Sequence, residues 1–313
     1  MEIKGAENFD FGAACKEKCV VAIGIFDAVH KGHALVLKTA KEAAARFGAK
    51  AFALTFYPHP SKVLPARGGD CALIYTPQTR AELLRQCGAD AVFFKDFTPE
   101  FAAMPPRDFF VALLKKFPNL KCVVTGENFR FGAKAAADVS SLKKLAAECG
   151  VETMAVGGVL QGGEFVSSTR LRAALRRGDM GSFLEMSGRN YFCAGKIECG
   201  GRLGRKIGFP TLNLKPAAEC LPAFGAYAAR LENTDTGEVF EGVANFGTKP
   251  TVGGSAPVLE TNLFRTPNFG EGANVKVELL KFLRGEEKFG SVEELKAQIQ
   301  KDKAAATKFF GLL

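Results

Sequence analysis

Two of the three histidines in this chain, His30 and His33, stand in one short stretch, GIFDAVHKGH (residues 24–33), and the third, His59, follows in TFYPHP (residues 55–60). The apolar run that leads in, CVVAIGIF, reads as a buried strand, and HALVLKTAKEAAARFG, which follows, reads as a helix. The two histidines therefore flank Gly32 at a helix start. Such a start gathers unpaired N–H groups and the positive end of the helix dipole, which suits phosphate. Imidazole adds donors that can meet charge developing on a phosphoryl oxygen. A plain capping role is the alternative for one lone histidine; two around a glycine after an apolar strand favour phosphate chemistry.

A second basic constellation lies in VSSTRLRAALRRG (residues 166–178). Ser167, Ser168 and Thr169 can cap a helix whose first turn carries Arg170 and Arg172, so hydroxyls, amides and guanidinium groups converge where a triphosphate could lie. The alternative is a capped helix with a solvated basic face.

The elements that must position these groups change rhythm near residue 185. Before it, apolar runs (CVVAIGIF, AFALTF, AVFF, KCVVT, VETMAV) alternate with helical patterns, among them one opened by Thr76 and Pro77, then PPRDFFVALLKKF and DVSSLKKLAAECG. Continuous apolar strands separated by helices predict a parallel sheet covered on both faces, with ligands at the carboxyl ends of its strands. After it come short strand-like pieces, YFCAGKIEC, FPTLNL, AYAARLE, VFEGVANF, PVLETNLF and NVKVELLKFL, separated by turn chemistry, which predict a small antiparallel barrel. Ser291 and Glu294 form a capping box before a last amphipathic helix.

Composition bounds the rest. A chain of 313 residues exceeds the usual single core, so two domains are expected. No apolar run approaches the roughly 18 residues needed to span a bilayer, and the acidic start MEIKGAENFD is unlike a basic stub before an apolar leader. The expected location is the cytoplasm. Nine cysteines, scattered singly without a CxxC pair, argue against a disulfide framework or a zinc site, and most are expected to be small core residues. The net charge of +9 favours anionic partners, and the lack of a long basic block favours nucleotide phosphates over nucleic acid.

In this order and spacing, GIFDAVHKGH, TFYPHP, VTGENFRFG and SSTRLR resemble the nucleotidyltransferase half of the prokaryotic bifunctional riboflavin kinase/FMN adenylyltransferases. GRKIGFPTLNL, GVANFGTKPT and LETNLF resemble their riboflavin kinase half. The resemblance covers nearly the whole chain; HxGH alone is shared with other adenylyltransferases and class I aminoacyl-tRNA synthetases, whereas its combination with GFPTxN is specific. It implies an α/β Rossmann-like nucleotidyltransferase domain over residues 1–186, then an antiparallel β-barrel kinase domain with a C-terminal helix over 187–313. The implied activity is phosphorylation of riboflavin to FMN and adenylylation of FMN to FAD.

Carried over position by position, the resemblance implies that His30 and His33 contact the ATP phosphates, with Gly24, Phe26 and Asp27 lining the nucleotide pocket. His59 belongs near the flavin phosphate or adenylate, and Asn128 near the reacting phosphate. Ser168, Thr169 and Arg172 fall on the triphosphate element. In the second half, Glu260 is the implied catalytic carboxylate, Thr211 and Asn213 the residues for Mg²⁺ and phosphate, and Arg202 to Gly208, with Gly204, a loop over the nucleotide. Strand alternation puts Glu260 with Asn262 on one face, and Thr211 with Asn213 on one face, where both oxygens can meet a hard cation.

Ala28 stands where the family usually has Gly, Ala135 and Ala137 where it commonly has a basic residue and Gly, and Asn262 where His is frequent. The partners implied are riboflavin, FMN and ATP, with Mg²⁺ as cofactor, no nucleic acid and no membrane; the oligomeric state is left open. Two other readings stay open at this point: an RNA-binding protein of the HxGH type, and a flavin-binding regulator with degenerate transferase activity.

Overall fold

The computed structural model describes residues 7–8, 14–64, 72–200, 204, 207–248 and 256–312. Arg202, and the remainder of its loop apart from Gly204, Ile207 and Gly208, lie outside the described residues, as does Cys71. By internal contacts the chain divides into two compact units, residues 1–169 and 170–313.

The first unit is built on a parallel sheet. In chain order it comprises β1 (Glu7–Asn8), β2 (Cys19–Ile23), α1 (Lys31–Phe47), β3 (Lys50–Tyr57), α2 (Pro60–Val63), α3 (Pro77–Gln86), β4 (Ala91–Asp96), α4 (Pro99–Ala102), α5 (Pro106–Lys116), β5 (Leu120–Gly126), α6 (Val139–Ala147) and β6 (Glu152–Val156). The strand order is β1-β4-β3-β2-β5-β6, all parallel. Every residue of β2 is buried, and so is most of β3, because helices cover both sheet faces. Beneath α5 and α6 the core is rich in phenylalanine: Phe52, Phe93 and Phe117 form a triangle with ring centroids 5.2–5.8 Å apart. Helix α1 turns Val36, Leu37, Ala40, Ala43 and Ala44 inward, and ends at Gly48 in the left-handed conformation (φ 56°).

Two elements depart from the sequence reading. Strand β1 pairs with β4 at the sheet edge. A hairpin, β7 (Leu160–Gln161) with β8 (Glu164–Phe165), turns through Gly162 and Gly163, both at positive φ. Helix α7 (Ser168–Arg176) then carries the chain into the second unit, followed by α8 (Met180–Ser187).

The second unit is a closed six-stranded antiparallel barrel with strand order β10-β13-β12-β11-β14-β9. Its strands are β9 (Tyr191–Glu198), β10 (Leu212–Leu214), β11 (Gly225–Asn233), β12 (Val239–Thr248), β13 (Pro257–Leu263) and β14 (Asn274–Gly285). Helix α8 packs on the barrel, with Phe183 edge-on to Tyr191 at 5.6 Å. The closing helix, α9 (Val292–Phe310), lies over β11 and β12 and is fixed by a part-buried bidentate pair in which Arg284 Nε and Nη2 donate to Asp302 at 2.7–3.1 Å.

Ser291 caps α9 as expected, accepting from Glu294 N at 3.2 Å. The Glu294 carboxylate reaches past Ser291 to Gly290 N, at 2.8 Å. The cysteines divide more evenly than composition suggested: Cys19, Cys122, Cys193 and Cys220 are buried, Cys15 and Cys87 half-buried, Cys149 and Cys199 exposed. A lone cysteine is placed by local pattern as much as by its apolarity.

Candidate functional site

Strand order brings three sequence-distant loops together. Strands β3 and β5 flank β2, so the loops leaving β2 (residues 24–30), β3 (residues 58–59) and β5 (residues 127–128) lie side by side at the carboxyl edge of the sheet, where the chain reverses its winding. They carry His30, His59 and Asn128 respectively.

His30 is the N-cap of α1, and its Nδ1 accepts from His33 N at 3.4 Å. His59 repeats the device at α2, where its Nδ1 accepts from Ser61 N at 3.1 Å. An accepting Nδ1 carries no hydrogen, so this arrangement assigns the proton of both rings to Nε2, which can then donate. His33 stacks on His30 (centroids 3.6 Å apart, 18° between planes) and meets the edge of Phe26 at 5.3 Å. At Gly32 a Cβ would stand 3.1 Å from His30 Cε1, tighter than ordinary contact, so a side chain there would have to displace the ring by a few tenths of an ångström.

The loop that presents His30 is held in an unusual shape. Phe26, Ala28 and Val29 all have positive φ, at 52°, 65° and 46°. Ala28 thus adopts the left-handed conformation that glycine would take freely, which for alanine costs roughly 1 kcal/mol. Asp27, fully buried, accepts at Oδ1 from Ala28 N (3.0 Å) and Ile74 N (3.1 Å), and its carbonyl accepts from Ser168 Oγ at 3.0 Å. Phe26 and Asp27 therefore shape the loop from beneath, while Gly24 lies against the Phe26 ring. Ser168 is the first residue of α7, Thr169 beside it is exposed, and Arg172, one turn on, is buried. Asn128 is exposed in a turn closed by Phe129 N donating to Gly126 O at 3.0 Å.

The barrel carries a separate group. Asn213 stands directly opposite Glu260 across β10 and β13, Glu260 opposite Asn245 across β12, and Asn213 opposite Glu198 across β9. Directly opposed residues share a face, so Glu198, Asn213, Glu260 and Asn245 form one row. Asn213 is buried, and Glu260 and Thr211 are half-buried. Asn262 Nδ2 donates to Pro210 O at 2.8 Å, which ties the Thr211 segment to β13. Gly200 packs on the Asn213 side chain, and Gly204 lies near Thr211 in a turn closed by Phe209 N at 2.7 Å; Gly208 (φ 89°) is exposed. The available donors, a hydroxyl, an amide oxygen and a carboxylate, are the hard oxygen ligands that Mg²⁺ takes alongside substrate phosphates.

Sequence reasoning missed Asn245, Glu198 and two buried residues under the histidine loops, Thr55 and Arg80. For Arg80 a signal existed: Pro77, Arg80, Ala81 and Leu84 make an inward helical stripe in which a cation is out of place. Among the described residues no helix is long and apolar enough to cross a membrane, and no cluster of three or more His, Cys, Asp or Glu could hold a metal.

Comparison with known proteins agrees with both halves. Residues 12–170 match the family model described as FAD synthetase, and residues 187–310 that described as riboflavin kinase. The bifunctional riboflavin kinase/FMN adenylyltransferase of Escherichia coli K12 is 34% identical over 311 residues, covering 99% of this chain and 98% of that protein. The protein of the same description from Bacillus subtilis 168 is 34% identical over 301 residues, covering 95% and 94%. A crystal structure described as a macrolide-efflux protein from Streptococcus pneumoniae superposes with a TM-score of 0.82 at 27% identity, covering 93% of this chain and 94% of that one. With two family models meeting nearly end to end on it and relatives aligned along its length, the chain belongs to the bifunctional riboflavin kinase/FMN adenylyltransferase family.

Proposed function

We propose that the chain catalyses two successive transfers from ATP: phosphorylation of riboflavin to FMN in the barrel, then adenylylation of FMN to FAD with release of pyrophosphate on the parallel sheet. What supports this reading is that each compact unit carries groups suited to one of the two transfers. Donor-bearing histidines cap helices at the sheet's carboxyl edge, and a carboxylate faces an amide across two barrel strands. We assign residues 1–186 to adenylyl transfer and 187–313 to the kinase.

In the kinase half the nucleophile is the riboflavin 5′-hydroxyl, which needs a proton acceptor as it attacks the γ-phosphate. Glu260 is that base. Thr211 and Asn213 would hold Mg²⁺, which would supply positive charge to offset that of the ATP phosphates. Arg202, Gly204 and Gly208 belong to the segment assigned to the loop over the nucleotide.

In the other half the nucleophile is the FMN phosphate. Its second pKa lies near about 6, by analogy with phosphorylated side chains, so no base is needed. His30 and His33 donate to the α-phosphate and the departing pyrophosphate, His59 and Asn128 serve the flavin phosphate side, and Ser168, Thr169 and Arg172 hold the triphosphate. Gly24, Phe26 and Asp27 form the wall and frame of the nucleotide pocket. The substrates are small molecules, the reading involves neither nucleic acid nor membrane, and the expected location is the cytoplasm.

The test is direct. The purified chain with riboflavin, ATP and Mg²⁺ should give FMN and then FAD on chromatographic separation of the flavins. Absence of FAD with FMN supplied would overturn the adenylyl-transfer half, and absence of FMN the kinase half. A fragment for the kinase alone should begin at Arg170, because α8 packs on β9 and β14.

A further inference from the structure

Among the described residues, Arg80 is the largest of the fully buried side chains. A guanidinium at that depth ordinarily has a carboxylate against it. Here Nη2 donates instead to three uncharged acceptors: Ile25 O at 2.6 Å, Thr55 Oγ1 at 2.6 Å and Phe56 O at 3.4 Å. Thr55 Oγ1 in turn donates to Ile25 O at 2.8 Å. Nε and Nη1 are buried without hydrogen bonds, and the group lies over the Phe94 ring at 5.3 Å. Burial pulls its pKa down to about 10, opposed by the charge of Asp27, so it remains a cation at neutral pH.

The position of these acceptors explains the cation. Ile25 immediately precedes the left-handed run at Phe26, Ala28 and Val29, and Val29 is β-branched, the side-chain type least tolerant of positive φ. Backbone held this way persists only where its surroundings over-determine it. Ser168 and the Asp27 carboxylate brace the middle of the loop and His30 caps its end. Its beginning is held by Arg80 and Thr55. The third acceptor, Phe56 O, lies one residue before the end of β3, ahead of the segment that carries His59.

We infer that Arg80 is a positioning residue for adenylyl transfer: with Thr55 it clamps the exits of β2 and β3 to one another and so fixes the spacing between His30, His33 and His59. This rests on the reading of those loops as the adenylyl-transfer site. Arg80 does not itself touch substrate; it acts through two backbone carbonyls.

The test uses the full-length chain carrying Arg80→Lys, which keeps the charge but replaces a planar fork by a point donor. Thr55→Val, which removes the hydroxyl at constant shape, is the second variant, and the double variant the third. FAD formation from FMN is resolved into kcat and the KM for ATP. FMN formation and the urea midpoint are measured on the same preparations, with His30→Ala in parallel. Displacing a reacting group by about 1 Å costs on the order of 10²-fold, so kcat for FAD formation should fall by about that factor in Arg80→Lys. The KM for ATP and FMN formation should stay near wild type, because misaligned loops still bind but no longer match the transition state. The double variant should be little worse than Arg80→Lys, since both changes release the same Ile25 carbonyl.

Wild-type kcat for FAD in a folded Arg80→Lys protein overturns the inference, as does a parallel fall in FMN formation. If Arg80→Lys does not fold, Thr55→Val decides in its place, and wild-type kcat for FAD in that variant overturns the inference equally. Should His30→Ala keep its FAD activity, the site reading falls and this inference with it. Loss in His30→Ala beside full activity in Arg80→Lys overturns the positioning role alone.

Discussion

His30 has two separable duties, and a pair of substitutions divides them. Its Nδ1 caps α1 through His33 N, and in the function proposed above its Nε2 is the donor offered to phosphate. Alanine removes both. Asparagine keeps a side-chain oxygen that ranks among the best helix caps, but lacks the imidazole N–H at its reach.

The capping bond is long at 3.4 Å, so its loss in His30→Ala should cost about 0.5–1 kcal/mol, the lower part of the usual range. Set against a stability of about 5–15 kcal/mol, that leaves more than about 99% of the protein folded. Loss of one preorganised donor costs about 10²- to 10³-fold in kcat. The two consequences differ so widely in scale that they cannot be confused. His30→Ala should show a slightly lowered urea midpoint and His30→Asn a midpoint near wild type, and both should lose FAD formation by about 10²-fold or more. Both should form FMN from riboflavin normally, measured in the same tube by flavin chromatography. Wild-type FAD formation by His30→Asn would refute the donor role, and equal loss of FMN formation would trace the effect to folding.

Three further outcomes are expected. Glu260→Gln should lower FMN formation by about 10²- to 10⁴-fold, the range for a positioned base, and leave conversion of supplied FMN to FAD intact; full kinase activity in this variant would remove Glu260 from its role. Gly200→Ala would push a methyl group into the Asn213 amide, so FMN formation should fall by about 10- to 100-fold with a raised Mg²⁺ requirement, and an unchanged Mg²⁺ titration would contradict Asn213 as a metal-site residue. In a Cys71→Ser background, a thiol reagent at pH 8 should label Cys149 and Cys199 first and leave Cys19, Cys122 and Cys193 untouched until urea is added. Burial pushes these thiols up to about 12, 12 and 11, so they stay protonated well above that pH.

The sheet was legible because its strands are buried on both faces: CVVAI and KAFALTFY are apolar without alternation, and Thr76 and Asp138 announce helices by the caps they form. The β7–β8 hairpin was not, since its strands are two residues each and Leu160 and Phe165 are exposed, so no core imposes a period. Its one signal is the glycine pair of its turn. The histidines declared themselves by rarity and spacing. Their assembly did not, because the placement of β3 and β5 beside β2 is a long-range property absent from any window of sequence. Arg80 lay between these cases, visible as a cation on an apolar stripe yet intelligible only once its acceptors were known.

The two sites also differ in where they keep their carboxylates, and that difference follows the nucleophile. In the histidine loop the Asp27 carboxylate is fully buried, with Oδ1 given to the N–H groups of Ala28 and Ile74, so it frames the loop and balances Arg80. A phosphate that is already ionised has no proton to give up, and a carboxylate exposed to it would repel it. In the barrel, Glu260 stands half-buried on the strand face opposite Asn213, where an alcohol nucleophile could reach it and a cation at Thr211 and Asn213 would offset its charge toward ATP. On the proposed assignment, one fold withdraws its acid group from the substrate and the other presents it, as the protonation states of FMN phosphate and riboflavin hydroxyl would require.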